Sequence, residues 1–159
     1  MSDNNTPIRY LSVKGLEEAK AELLHLETVE RNEITAEMAV ALEFGNLAEN
    51  ADYESARNRQ AFVEGRIAEL RVLIADAVII KAPSSDKQVA LGSRVDLSGP
   101  DGPASYVLVG SAEADPGSGR ISNESPLGKA LLGRKPGDTV VVHAPAGDFS
   151  YKVEKISRG

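Results

Sequence analysis

The sequence predicts an α+β chain in two parts, a long antiparallel α-helical coiled-coil hairpin over residues 1–80 and a small α+β domain over residues 81–159. Three observations predict it. Helix-period apolar spacing runs through the first half and is interrupted only at Phe44-Gly45-Asn46. Short alternating or β-branched runs fill the second half, after a polar stretch, Lys81-Ala82-Pro83-Ser84-Ser85-Asp86, that is rich in turn residues. Charge divides at the same place: residues 1–80 hold 15 acids against 8 bases, whereas the remainder holds 9 against 10, for a net charge of −6.

The first helix is predicted from Val13 to about Phe44, a stretch without proline and with no glycine between Gly15 and Gly45. Ala, Leu and Glu dominate it, all strong helix formers. Its apolar stripe reads Leu16, Ala19, Leu23, Leu26 and Val29, then Ile34, Met38, Ala41 and Leu42, with Ser12 placed as N-cap. A second helix is predicted from about Leu47 to Ala77. Its seam is Ala56, Val63, Ile67, Leu70 and Ile74, with Gln60 filling one slot, and its steps of four and three are those of a coiled coil. So short a link makes the helices antiparallel neighbours, each about 30 residues and roughly 45 Å long. Only one stripe of each helix can be dry. Such a rod is the stem of an assembly, a dimerisation coiled coil, or a probe inserted into something else.

In the second half, strands are predicted at Val89–Leu97, Ser105–Val109, Thr139–His143 and Phe149–Ile156. Gly99-Pro100-Asp101-Gly102-Pro103 and Ala146-Gly147-Asp148 read as hairpin turns. One helix, Pro126–Leu132, is opened by Ser125-Pro126 and closed by Gly133. The domain therefore has four or five strands and one short helix.

Several function classes are disfavoured. The chain has no cysteine, hence no disulfide framework and no thiolate metal site, which fits a reducing, cytoplasmic setting. The opening residues hold no targeting signal. The most apolar run, Val72–Ile80, contains Asp76 and is too short to span a bilayer. The acidic balance argues against a general DNA binder. His25 and His143 stand alone, and there is no Gly-rich phosphate loop, nucleophile elbow or zinc spacing.

At the hairpin tip, Glu43-Phe44-Gly45-Asn46-Leu47-Ala48-Glu49-Asn50-Ala51-Asp52-Tyr53 resembles the tip of the GreA/GreB transcript-cleavage factors, roughly Gly-Asp-Leu-x-Glu-Asn-Ala-x-Tyr. The likeness continues through Ala56-Arg57, Gln60 and Glu64-Gly65-Arg66-Ile67. It returns at Ile121-Ser122-Asn123-Glu124-Ser125-Pro126 through Gly133, then at Gly137-Asp138-Thr139-Val140, and the opening Leu11-Ser12-Val13-Lys14-Gly15 also resembles the family. The resemblance spans nearly the whole chain, in order. It implies an FKBP-like C-terminal domain that docks at the rim of the RNA polymerase secondary channel, and a monomer whose coiled coil enters that channel. Acidic tip residues would there help the polymerase hold a second Mg²⁺ and a water to hydrolyse backtracked RNA. The chain would then be no enzyme itself and hold no cofactor of its own.

The resemblance places the tip acids at Asn46 and Glu49. Glu49 is present; Asn46 departs from the usual Asp. Two-metal hydrolysis uses hard oxygen ligands and a positioned water. An amide oxygen can coordinate Mg²⁺ but carries no charge and accepts no proton, so Asn46 implies weakened cleavage or an inhibitory paralogue that occupies the channel. Asp52, sharing a helix face with Glu49 three residues before it, and Glu43 could compensate. A purely structural role is also open, because Asn46 with Glu49 forms a capping-box pattern, and Glu49 and Asp52 suit a helix N-terminus. The resemblance further implies tip support from Asn50, Asp52 and Tyr53, contact of Arg57 with extruded RNA, and polymerase docking through Glu124, Ser125, Pro126 and Leu127. The bland alternatives are packing within the tip, pairing of Arg57 with Glu54 and of Arg66 with Glu69, and a helix N-terminus held by Ser-Pro. The FKBP likeness alone also suggests a prolyl isomerase, for which the domain's aromatics (Tyr106, Phe149 and Tyr151) are few.

Overall fold

The computed structural model describes residues 8–45, 50–83 and 85–159, and it is a two-unit α+β protein. Leu16–Asp76 form one unit; Met1–Gly15 and Ala77–Gly159 form the other. The boundary read from the polar stretch at 80/81 thus moves to 76/77, and the residues before Leu16 join the second unit. The reason is a parallel pair that links the two ends of the helical region. Strand β1 (Tyr10–Leu11) lies beside β2 (Val78–Ile79), with Val78 N–H donating to the Arg9 carbonyl at 2.8 Å and Ile80 N–H to the Leu11 carbonyl at 2.7 Å.

The helical unit is built from α1 (Val13–His25), a π turn (Leu26–Glu30), α2 (Arg31–Glu43) and α3 (Ala51–Asp76). Ser12 caps α1 as predicted, its Oγ accepting from Gly15 N–H at 2.9 Å. The dry seam contains Ile34, Val63 and Ile67, with Leu23, Leu26 and Met38 packed against them. Ala19, Ala41, Ala56 and Leu70 are buried too. Alanine at the distal positions leaves little apolar area to bury.

Val29 and Leu42, expected on the stripe, are exposed. Leu42 follows buried Ala41, and adjacent helical residues point about 100° apart. Val29 is displaced by the π turn. Seam residues Leu26 and Ile34 are eight apart where a heptad has seven, and the extra residue is absorbed by the wider turn. Glu30 takes the intervening seam place and meets Arg59 from the facing helix. Gln60, expected to fill a slot, is exposed.

A ladder of ion pairs flanks the seam. Arg31 binds Glu64 through two bonds of 2.6 and 2.8 Å, Arg66 binds Glu22 at 2.7 and 3.0 Å, and Arg71 reaches Glu27 at 2.6 Å. Arg59 binds Glu30, Glu37 at 2.7 Å and Glu33 at 3.3 Å. Hydrogen bonds from these guanidinium groups hold the carboxyls of Glu22, Glu30 and Glu64 below the usual carboxylate range. Exposed pairs of this kind contribute little each. Their main effect is register, because each arginine reaches a carboxylate on the facing segment.

In the other unit, β3 (Ser93–Gly99), β4 (Gly102–Val109), β5 (Arg120–Ser122), β6 (Thr139–Ala144) and β7 (Gly147–Arg158) form one sheet in the order β5-β4-β3-β7-β6. All neighbours are antiparallel except β4 and β5. Strand β3 begins at Ser93, four residues later than expected. Strand β4 begins earlier, because the turn is only Pro100-Asp101, closed by Gly102 at φ 98°. Helix α4 is Pro126–Leu131, capped by Ser125, whose Oγ accepts from Gly128 N–H. The core contains Val95, Leu97, Leu108, Ile121, Leu131, Val140, Val153 and Ile156, with Tyr106 and Tyr151 packed on it. No helix among the described residues is long and apolar enough to cross a membrane.

Candidate functional site

Asn46 and Glu49, the predicted tip acid positions, lie outside the described residues, so the site is built from what flanks them. Helix α2 ends at Glu43 and α3 opens at Ala51. Asn50, not Asn46, takes the N-cap role for α3. Its Oδ1 accepts from Tyr53 N–H at 3.1 Å, while its Nδ2 donates to the Ala41 carbonyl at 2.7 Å. One amide side chain therefore adds a second donor to the Ala41 carbonyl at the end of α2, which also accepts from Phe44 N–H at 3.2 Å, and serves an orphan amide at the start of α3. That bond pair closes the base of the tip. The expected capping pair of Asn46 and Glu49 lies outside the described residues; Asp52 sits in the first turn of α3.

Replacing Asn50 with Ala is expected to cost about 1–2 kcal/mol through the cap and to leave the Ala41 carbonyl with one donor fewer. Chemical denaturation read by helical circular dichroism, with hydrogen exchange at Tyr53, checks both consequences.

Asp52 is exposed and Tyr53 half-buried. Phe44 projects into solvent, 82% exposed. Beside it lies an open groove of about 500 Å³ lined by Ala36, Glu37, Val40, Phe44, Asp52 and Ser55.

Arg57 has a distinct position among the four arginines of α3. Arg59, Arg66 and Arg71 are each bound by carboxylates, and the Arg66–Glu69 pair forms at 3.4 Å. The pairing of Arg57 with Glu54 does not form. Arg57 is exposed and makes no ion pair among the described residues.

The second group of predicted residues, Glu124 to Leu127, sits at the N-terminus of α4. Ser125 donates to the Ser122 carbonyl at 2.7 Å as well as capping the helix. Leu127 packs against the core, and its anchoring leaves Glu124 and Pro126 as the exposed members. Glu124 is held outward: its Oε2 accepts from Ser111 Oγ at 2.6 Å, and its N–H donates to Ser122 Oγ at 3.0 Å.

Sequence reasoning missed Glu113. Its carboxylate accepts from Ser12 N–H at 2.7 Å and Ser12 Oγ at 2.5 Å, so it secures the start of α1. A Cβ on Gly15 would overlap that carboxylate. A lone glutamate about a hundred residues away in sequence gives no local signal of this contact. No group of His, Cys, Asp and Glu among the described residues is arranged to hold a metal ion. His25 lies 3.5 Å from Glu30 and His143 2.7 Å from Asp148.

Two family descriptions match the chain. "Transcription elongation factor, N-terminal" covers residues 9–79 and "Transcription elongation factor, GreA/GreB, C-term" covers residues 83–158. The transcription elongation factor GreA of Clostridium kluyveri is 44% identical over 151 residues, 93% of this chain and 95% of that one. The same factor from Listeria monocytogenes is 45% identical over 92% of this chain and 94% of its own. That of Bacillus velezensis is 46% identical over 91% and 93%. Among solved structures, GreA factor homolog 1 of Thermus thermophilus is 29% identical, covering 95% of this chain and 99% of that one, with a TM-score of 0.42.

Proposed function

The chain belongs to the GreA/GreB family of transcription elongation factors, and from that premise we propose that it binds RNA polymerase and stimulates the polymerase's own cleavage of backtracked RNA. The helical hairpin enters the secondary channel. The second unit docks at the channel rim through exposed Glu124 and Pro126, whose positions Ser125 and Leu127 fix. At the tip, Glu49 would lend a carboxylate to a Mg²⁺ held jointly with the polymerase active site, and the metal would supply activation of the attacking water. Arg57 takes a phosphate of the extruded RNA.

The observation that carries this reading is the identity to GreA relatives at 44–46% across nine-tenths of the chain, with Glu49 at the family's tip position. The hydrolysis remains the polymerase's; this chain holds no cofactor of its own and acts in the cytoplasm as a monomer. Glu49→Ala is expected to lower stimulated cleavage by about two orders of magnitude while leaving polymerase affinity unchanged. An equal fall in affinity and rate would show instead that Glu49 only shapes the tip.

Asn46 supports a second reading. With one acid position neutral, the chain would occupy the channel without completing the metal site and would slow cleavage by competing with acid-bearing relatives.

A further inference from the structure

The two flanks of the hairpin differ in chemistry. Arg59 and its partners Glu33 and Glu37 mark one flank. The groove beneath the tip shares Glu37 and therefore opens on that flank. Phe62 follows Arg59 by three residues and groove-lining Ser55 by seven, two helical turns, so it faces the same side. Val40, Phe44 and Phe62 are 54%, 82% and 76% exposed. The opposite flank carries the Arg31–Glu64 pair, and Arg57 lies on it, two turns before Glu64. The whole chain has only three Phe and no Trp, so two of its three Phe rings stand in water along one flank. Composition alone does not explain that placement, and exposed apolar surface arranged along one face marks a contact.

Charge narrows what covers it. The carboxylates of Glu33 and Glu37 are taken by Arg59. Asp52, at the rim of the groove, is exposed and has no ion pair among the described residues. An acidic rim repels phosphate, and the cation suited to phosphate, Arg57, is on the other side.

We propose that the Val40–Phe44–Phe62 flank is a protein-binding face that receives an apolar segment of RNA polymerase bearing a lysine or arginine opposite Asp52. This deepens the polymerase reading above and rests on it. The rings supply the apolar anchors of the contact and Asp52 supplies its register. The hairpin thereby presents one flank to the protein and the other to RNA.

The test places the photoreactive residue p-benzoylphenylalanine at position 44, 62 or 57 and irradiates complexes of the full chain with polymerase stalled on labelled RNA. Crosslinks from 44 and 62 to a polymerase polypeptide are expected, with RNA labelled only from 57. The Phe44→Ser/Phe62→Ser double variant is expected to need about tenfold more protein for half-maximal effect on the polymerase, with an unchanged thermal melt, since neither ring is in the core. Label transfer from 44 and 62 to RNA, or an unchanged half-maximal concentration, overturns the proposal while leaving the polymerase reading standing. If the wild-type chain fails to co-migrate with polymerase on gel filtration, both fall together.

Discussion

Asn46→Asp is expected to raise the rate at which the protein stimulates RNA cleavage by roughly tenfold, the scale on which one supporting carboxylate changes a metal site. The substitution is nearly isosteric, so packing is unchanged. What changes is charge: a carboxylate attracts Mg²⁺ as an anion and can accept a proton, whereas the amide oxygen can coordinate Mg²⁺ only as a neutral ligand and accepts no proton. Rates measured at several Mg²⁺ concentrations separate the two contributions. A gain that shrinks at saturating Mg²⁺ assigns the effect to metal recruitment. Equal rates for variant and wild type at every Mg²⁺ concentration would mean that position 46 has no part in the chemistry.

Gly128→Ala is expected to destabilise the sheet-containing unit by about 3 kcal/mol, at the upper end of ordinary overpacking. A Cβ at residue 128 would overlap the Ser122 carbonyl oxygen and crowd Ser125 Oγ, both of which are backbone or capping groups with little room to yield. The same shift would disturb Ser125, which accepts from Gly128 N–H at 3.1 Å, and with it the outward pose of Glu124 and Pro126. A lowered urea midpoint is therefore expected together with weaker polymerase binding. A midpoint equal to that of wild type would show that α4 can slide on β5 without cost.

Much of the fold was legible because it rests on long periodic patterns. Ala56, Val63, Ile67 and Leu70 recur at coiled-coil steps, and all four are buried. Ser12 and Ser125 cap the helices whose starts they mark. What escaped was decided by a single residue or by distant partners. The eight-residue gap between Leu26 and Ile34 was visible, yet only the structure shows that a π turn absorbs it and turns Val29 outward. Asn46 and Asn50 are both good N-cap residues, four positions apart, and local chemistry does not choose between them. Asn50 takes the role because its amide also reaches the Ala41 carbonyl across the tip. The β1–β2 pair, two residues on each side, is too short to carry any period.

The candidate site divided the same way. The resemblance located the tip, the Ser-Pro segment and Arg57, and the pairing pattern of α3 adds that Arg57 differs from Arg59, Arg66 and Arg71 in having no ion pair among the described residues. Asp52 lines the groove and makes no ion pair among the described residues.

The most direct test of the central claim is the cleavage rate of backtracked elongation complexes, assembled with cognate polymerase and labelled RNA, with and without this protein. The account predicts acceleration that saturates with protein concentration and requires Mg²⁺. A rate left unchanged, or slowed, at concentrations where the protein is bound to polymerase would contradict it and identify a channel-occupying inhibitor.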